Sequence, residues 1–133
     1  MATVLIVDDD PVLRAMAYEM LRAGRHALIE AADGEQALAV FDTMPVDLIV
    51  LDLLMPNVDG LELIRALRAR NSEVRILAIS SGGLLDPSGL LKIATTLGAD
   101  AVLQKPLRLG TFADAVADLL GRQAGPASIQ RSA

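Results

Sequence analysis

Cysteine is absent from the 133 residues, which excludes disulfides and thiolate metal ligands and fits a cytoplasmic setting. No apolar run approaches the roughly 18 residues that a membrane span needs, although 53% of the chain is hydrophobic. Its apolar stretches are short and regularly interrupted, the pattern of strands buried on both faces in a soluble protein. Met1-Ala2-Thr3 places no basic segment before the first apolar run, so no signal peptide is expected. An excess of positive charge is also missing. The net charge of -5 opposes nonspecific nucleic-acid binding, which depends on neutralising phosphates.

Two kinds of segment alternate along the chain. Runs rich in Val, Ile and Leu fall at 3–8, 27–31, 47–52, 75–80 and 100–104, and stretches with helical spacing lie between them. In the first helix Pro11 suits the opening turn and Asp10 an N-cap. Val12, Met16 and Met20, with Leu13, Ala17 and Leu21, form its inner side; Arg14, Glu19 and Arg22 face out, and Gly24 ends it. The helix over 34–43 turns Ala37, Leu38 and Phe41 inward. That over 60–70 turns in Leu63, Ile64 and Leu67 against an outer side of Arg65, Arg68 and Arg70. The helix over 87–97 carries Leu90, Leu91, Ile93, Ala94 and Leu97, more as core than as interface. The last, over 109–121, carries Leu109, Phe112, Val116, Leu119 and Leu120. His26 reads as an exposed loop residue rather than a ligand.

Strict alternation of strand and helix predicts an α/β fold: a doubly wound, five-stranded parallel sheet with right-handed crossovers and helices on both faces. With no repeat or linker, residues 1–122 form one domain, and from Gln123 the periodicity lapses into a disordered tail over 123–133.

Four of the strands deliver polar groups to their carboxyl ends. Val4-Leu5-Ile6-Val7 leads to Asp8-Asp9-Asp10, Leu48-Ile49-Val50-Leu51 to Asp52, Ile76-Leu77-Ala78-Ile79 to Ser80-Ser81, and Val102-Leu103-Gln104 to Lys105-Pro106. Ligands of open parallel sheets bind at that end, where the strand order reverses; in an order 2-1-3-4-5 this lies between strands one and three, which carry Asp8, Asp9 and Asp52. Three carboxylates in one crevice repel one another, and a hard cation such as Mg2+ relieves that repulsion while leaving positions for phosphate oxygens. Asp10 is read as a cap rather than a ligand.

Asp8-Asp9, Asp52 with Met55-Pro56 and Asp59-Gly60, Ser80 and Lys105-Pro106 together resemble the receiver domain of bacterial two-component response regulators, over about residues 3–121. The resemblance implies the flavodoxin-like receiver fold, with Asp52 as phosphoacceptor. Mg2+ would be held directly by Asp9, Asp52 and the Leu54 backbone carbonyl, and by Asp8 mostly through water. Lys105, before a cis Pro106, would pair with the acceptor or its phosphoryl group. Ser80 would fill the switch position, with Ser81 as the alternative hydroxyl. Asp59-Gly60 is read as a turn and helix start. The donor would be a phosphohistidine on a sensor histidine kinase or histidine phosphotransfer protein. The chain would act as a single-domain phosphoacceptor that catalyses its own phosphorylation and dephosphorylation, rather than as an enzyme. Its output would pass to a downstream protein, without nucleic acid or membrane, through the surface of helix four, strand five and helix five, which also allows a homodimer. A relay intermediate or phosphate sink is the alternative role.

Two departures qualify the resemblance. An aromatic residue that commonly reports activation is replaced by Val102, so coupling is expected to run through loop and helix-four shifts. Leu54 and Gly82, at positions that influence phosphoryl lifetime, lack polar side chains, which predicts slow self-hydrolysis. The enzyme competitor is a haloacid-dehalogenase-like phosphohydrolase starting from Asp8-Asp9-Asp10. It needs an acidic pair after the lysine, and only Asp114 and Asp118 follow, within the last helix.

Overall fold

The computed structural model describes residues 2–53, 60–70, 73–80 and 87–121, the last range without the side chains of Pro87, Ser88, Leu90 and Leu91. Strands β1 (Thr3–Val7), β2 (Ala27–Ala31), β3 (Leu48–Asp52), β4 (Arg75–Ser80) and β5 (Ala101–Gln104) alternate with helices α1 (Pro11–Leu21), α2 (Gly34–Thr43), α3 (Gly60–Arg70), α4 (Pro87–Leu97) and α5 (Leu109–Gly121). All strand pairs are parallel, in the order β2-β1-β3-β4-β5. The tail read at 123–133 lies outside the described residues.

Period-two alternation splits the core between the two faces of the sheet. Leu5, Val7, Ile49, Leu51, Ile76 and Ala78 meet α2, α3 and α4 through Ala37, Leu63, Ile64, Leu67 and Ala94. Val4, Ile6, Leu48, Val50, Leu77 and Ile79 meet α1 and α5 through Ala17, Leu21, Phe112, Val116 and Leu119. Both faces are therefore covered, which is why the strands read as unbroken apolar runs. A slip of one residue would turn every such side chain to the opposite face, so the register is fixed. That register pairs Val7 with Leu51, Asp52 with Ile79, and Ser80 with Gln104. The polar residues of four strands thus gather at one end of the sheet, with Asp8 and Asp52 following the Val7–Leu51 pair, Ser80 one residue farther along and Lys105 one beyond that.

Local signals start the helices as the sequence indicates. Asp10 Oδ1 accepts from Val12 N at 2.9 Å, and Pro11 opens α1. Asp33 caps α2 through Gln36 N at 2.8 Å, while the Gln36 amide oxygen accepts from Ala32 N at 2.9 Å, a near-reciprocal cap.

Several expected orientations change. Val12 and Met16 are 65% and 44% exposed, because the buried stripe of α1 runs through Leu13, Ala17, Met20 and Leu21, and a neighbouring stripe is turned about 100° away. The same offset leaves Ile93 exposed beside buried Ala94. Leu109 lies 60% exposed as the first residue of α5, with no preceding turn to cover it. Gly24 does not end α1 in the left-handed conformation. A 3-10 turn follows at Arg22–Gly24, and Arg25 takes φ 61°. A Cβ at Gly24 would lie 2.6 Å from Nε2 of half-buried His26, the end of a side chain that can swing aside. Arg68 is not on a solvated face. Its Nη2 donates to Gly98 O at 2.7 Å and to Asp100 Oδ2 at 2.9 Å, satisfying the carboxyl end of α4 from a neighbouring helix.

Candidate functional site

Asp8 follows the last residue of β1, and Asp52 is the last of β3; both are buried, with 1% and 4% of their surface exposed. Asp9 is exposed beside them. One carboxylate oxygen from each of Asp8, Asp9 and Asp52 lies within 4.8 Å of the other two. Lys105, the residue after β5, reaches across this edge. Its Nζ donates to Asp52 Oδ2 at 3.2 Å and stands 3.5 Å from Asp8 Oδ2.

The backbone around these groups is tightly held. Leu53 N donates to Ile79 O at 2.9 Å, continuing the β3–β4 pairing past Asp52, and Gly60 N donates to Leu53 O at 3.0 Å. Gly60 leaves no room for a side chain: a Cβ would fall 2.5 Å from Leu53 Cα and closer still to the Asp52 carbonyl. Its role therefore extends beyond the helix start read from sequence. Ser80 is buried at the end of β4, and its carbonyl accepts from Lys105 N at 2.8 Å. The Lys105–Pro106 bond is cis.

Asp8 is fixed on every side but one. Its N donates to Ala31 O at 3.2 Å, its Oδ1 accepts from Asp10 N at 2.8 Å, and its carbonyl accepts from Arg14 Nη1 at 2.6 Å. Oδ2 is buried without a hydrogen-bond partner. Burial pushes the Asp8 carboxyl above its ordinary value, and the charges of Asp52 and Asp9 act in the same direction. The bond from Asp10 N and the charge of Lys105 offset this only in part. For Lys105, burial disfavours the ammonium, but the charges of Asp52 and Asp8 prevail and raise it above its ordinary value.

A buried carboxylate oxygen that makes no hydrogen bond, among three carboxylates, is part of a ligand set suited to a hard divalent cation that takes oxygen ligands. Among the described residues, the cluster draws on Asp8, Asp9 and Asp52 alone. Asp114 and Asp118 sit exposed on α5 and do not join it. Leu54, Ser81, Gly82 and the Met55-Pro56 and Asp59 positions lie outside the described residues. Val102 is half-buried against the side of the core that carries α2, α3 and α4. Sequence reasoning missed Arg14, placed on the outer side of α1 yet bonded to the Asp8 carbonyl. Its position one turn into a helix that follows a strand end is the available signal.

A family model for the response regulator receiver domain matches residues 4–117. The transcriptional regulatory protein CpxR of Escherichia coli strain K12 is 37% identical over 106 residues, which take in 80% of this chain and 44% of that protein. The chain thus spans less than half the length of CpxR. Sporulation initiation phosphotransferase F of Bacillus subtilis is 29% identical over 113 residues, covering 85% of this chain and 89% of that protein. The solved structure of the Vibrio cholerae chemotaxis protein CheY4 matches with a TM-score of 0.81 at 29% identity, over 90% of this chain and 98% of its own.

Proposed function

The chain belongs to the response regulator receiver family of two-component systems, and from that premise we propose that it accepts a phosphoryl group on Asp52. The observation that carries this reading is the buried Asp52 carboxylate, 3.2 Å from the Lys105 ammonium and clustered with Asp8 and Asp9.

The donor is a phosphohistidine on a sensor histidine kinase or a histidine phosphotransfer protein. An Asp52 carboxylate oxygen attacks phosphorus in line. The P–O bond forms as the P–N bond breaks, and the departing electron pair returns to the imidazole nitrogen, which takes up a proton. Catalysis of such a transfer rests on positioning and charge neutralisation. The strand register and the packed Gly60 backbone hold Asp52 in place, while Lys105 offsets the charge gathered on the acceptor and the phosphoryl oxygens. The Ser80 hydroxyl donates to a phosphoryl oxygen. Asp9, Asp52 and the Leu54 carbonyl would hold Mg2+ directly, with Asp8 acting through water. When bound, the ion supplies positive charge against the carboxylates and the incoming phosphoryl group. Water later cleaves the acyl phosphate and regenerates Asp52, so the chain promotes both halves of its own cycle.

Phosphorylation then shifts a pre-existing equilibrium between two states of the surface formed by α4, β5 and α5, which meets a downstream protein or a second copy of the chain. Val102 in place of an aromatic favours transmission through the loop after β4 and through α4. Incubation with acetyl phosphate and Mg2+, followed by intact-mass measurement, tests the reading. A single phosphoryl adduct, absent with EDTA, is the expected result. Continuous turnover of phosphate esters initiated at Asp8 would overturn it.

A further inference from the structure

Asp8 turns its Oδ2, which faces Lys105 at 3.5 Å without a hydrogen bond, to the site only because the rest of the residue is tied down, and one of those ties comes from outside the acidic cluster. Arg14 lies one turn into α1, with its side chain 17% exposed. Its Nη1 donates to the Asp8 carbonyl at 2.6 Å, and its Nε donates to Glu30 Oε1 on β2 at 3.2 Å. Glu30 is the more exposed partner, so the ion pair alone contributes little to stability. The bond to the Asp8 carbonyl is different in kind, a short charge-assisted bond to a buried residue.

The geometry of that bond matters because a peptide unit is planar. Fixing the Asp8 carbonyl oxygen fixes the plane that also contains the Asp9 nitrogen. The same contact therefore sets the direction in which Asp8 leaves β1 and the direction from which the Asp9 side chain springs. Glu30 holds the guanidinium from the other side, and the planar fork of arginine suits it to bridging two acceptors at once.

We propose that Arg14, braced by Glu30, is a positioning residue that aims the Asp8 and Asp9 carboxylates for Mg2+ without touching the ion. The proposal rests on the metal-assisted phosphoacceptor reading of this site and adds a residue to it. Groups that orient metal ligands from behind typically govern affinity by 10- to 100-fold when removed.

The test is calorimetric titration of the whole chain with MgCl2, at a temperature where each variant is folded, for wild type, Arg14→Ala and Arg14→Gln. The expected result is a dissociation constant raised about tenfold or more in both variants. The phosphorylation rate from acetyl phosphate should fall at low Mg2+ and recover towards wild type when Mg2+ is saturating. A purely structural strut would lower the melting temperature without that split. Equal Mg2+ affinity in wild type and variant overturns the proposal and leaves the phosphoacceptor reading standing. If Arg14→Ala does not fold, Arg14→Gln decides alone by the same criterion. A wild type that binds no Mg2+ overturns the metal assignment and this proposal together. Mg2+ binding with the predicted Arg14 effect, but without phosphorylation, supports Arg14 and sinks the phosphoacceptor reading alone.

Discussion

Lys105 Nζ stands 3.2 Å from Asp52 Oδ2, a contact between residues 53 positions apart that spans the end of β4 to join β5 to β3. The same ammonium lies 3.5 Å from Asp8 Oδ2, so one cation faces two buried acids. Lys105→Met keeps the apolar stem and removes the charge. The rate of phosphorylation from acetyl phosphate should then drop about 100-fold, the scale of losing one preorganised charge-stabilising group. Mg2+ binding, measured by calorimetry, should persist.

The perturbed ionisations predict how stability varies with pH. Folding raises the Asp8 carboxyl above its ordinary 3.8, so across that window the folded state binds more protons than the unfolded one. Stability must fall as pH rises from the ordinary carboxylate value through the raised one. Lys105 is likewise raised, from 10.5. Its contribution is complete below that value and is lost as pH rises through the raised one. Denaturant titrations in EDTA should show both declines. Asp8→Asn should flatten the acidic one and weaken the alkaline one, because Asp8 is one of the two acids that raise Lys105.

Gly60→Ala drives a methyl group into the Asp52 carbonyl and Leu53 Cα. The obstacle is backbone, which cannot swing aside as a flexible side chain would. A stability loss of about 1–3 kcal/mol is expected from such overpacking, with slower phosphorylation because Asp52 shifts. Urea denaturation and acetyl phosphate kinetics check the two effects separately.

Leu54 and Gly82 carry no polar side chain that could orient an attacking water. The acyl phosphate on Asp52 should therefore persist for minutes or longer after the donor is removed. Decay followed by intact mass measures this directly. A half-life of a few seconds would contradict it, and in that case introducing a polar residue at position 54 should make little further difference.

Much of this molecule was legible in the sequence because its strongest signals are local. Pro11 behind an Asp10 cap, unbroken runs such as Leu48-Ile49-Val50-Leu51, and polar residues waiting at strand ends each follow from a handful of neighbours. The alternation of strand and helix then permits few topologies, and the sheet order places Asp8 beside Asp52. Long side chains were harder to read. Arg14 and Arg68 occupy outer positions on their helices, yet their guanidinium groups reach back to the carbonyls of Asp8 and Gly98. Helical periodicity records where a Cβ points, not where a four-bond arm ends. Gly60 does start α3 as its sequence reading has it, but its second role is hidden for a related reason: it accommodates the backbone of another element, at a distance no spacing rule encodes.

The central claim is that Asp52 receives the phosphoryl group. The most direct test is peptide mass mapping after incubation with acetyl phosphate and Mg2+, comparing wild type with Asp52→Asn. The account predicts one acid-stable, base-labile phosphoryl adduct located on Asp52, lost in Asp52→Asn and in EDTA. An adduct that maps to another residue, or that survives in Asp52→Asn at the wild-type level, would contradict it.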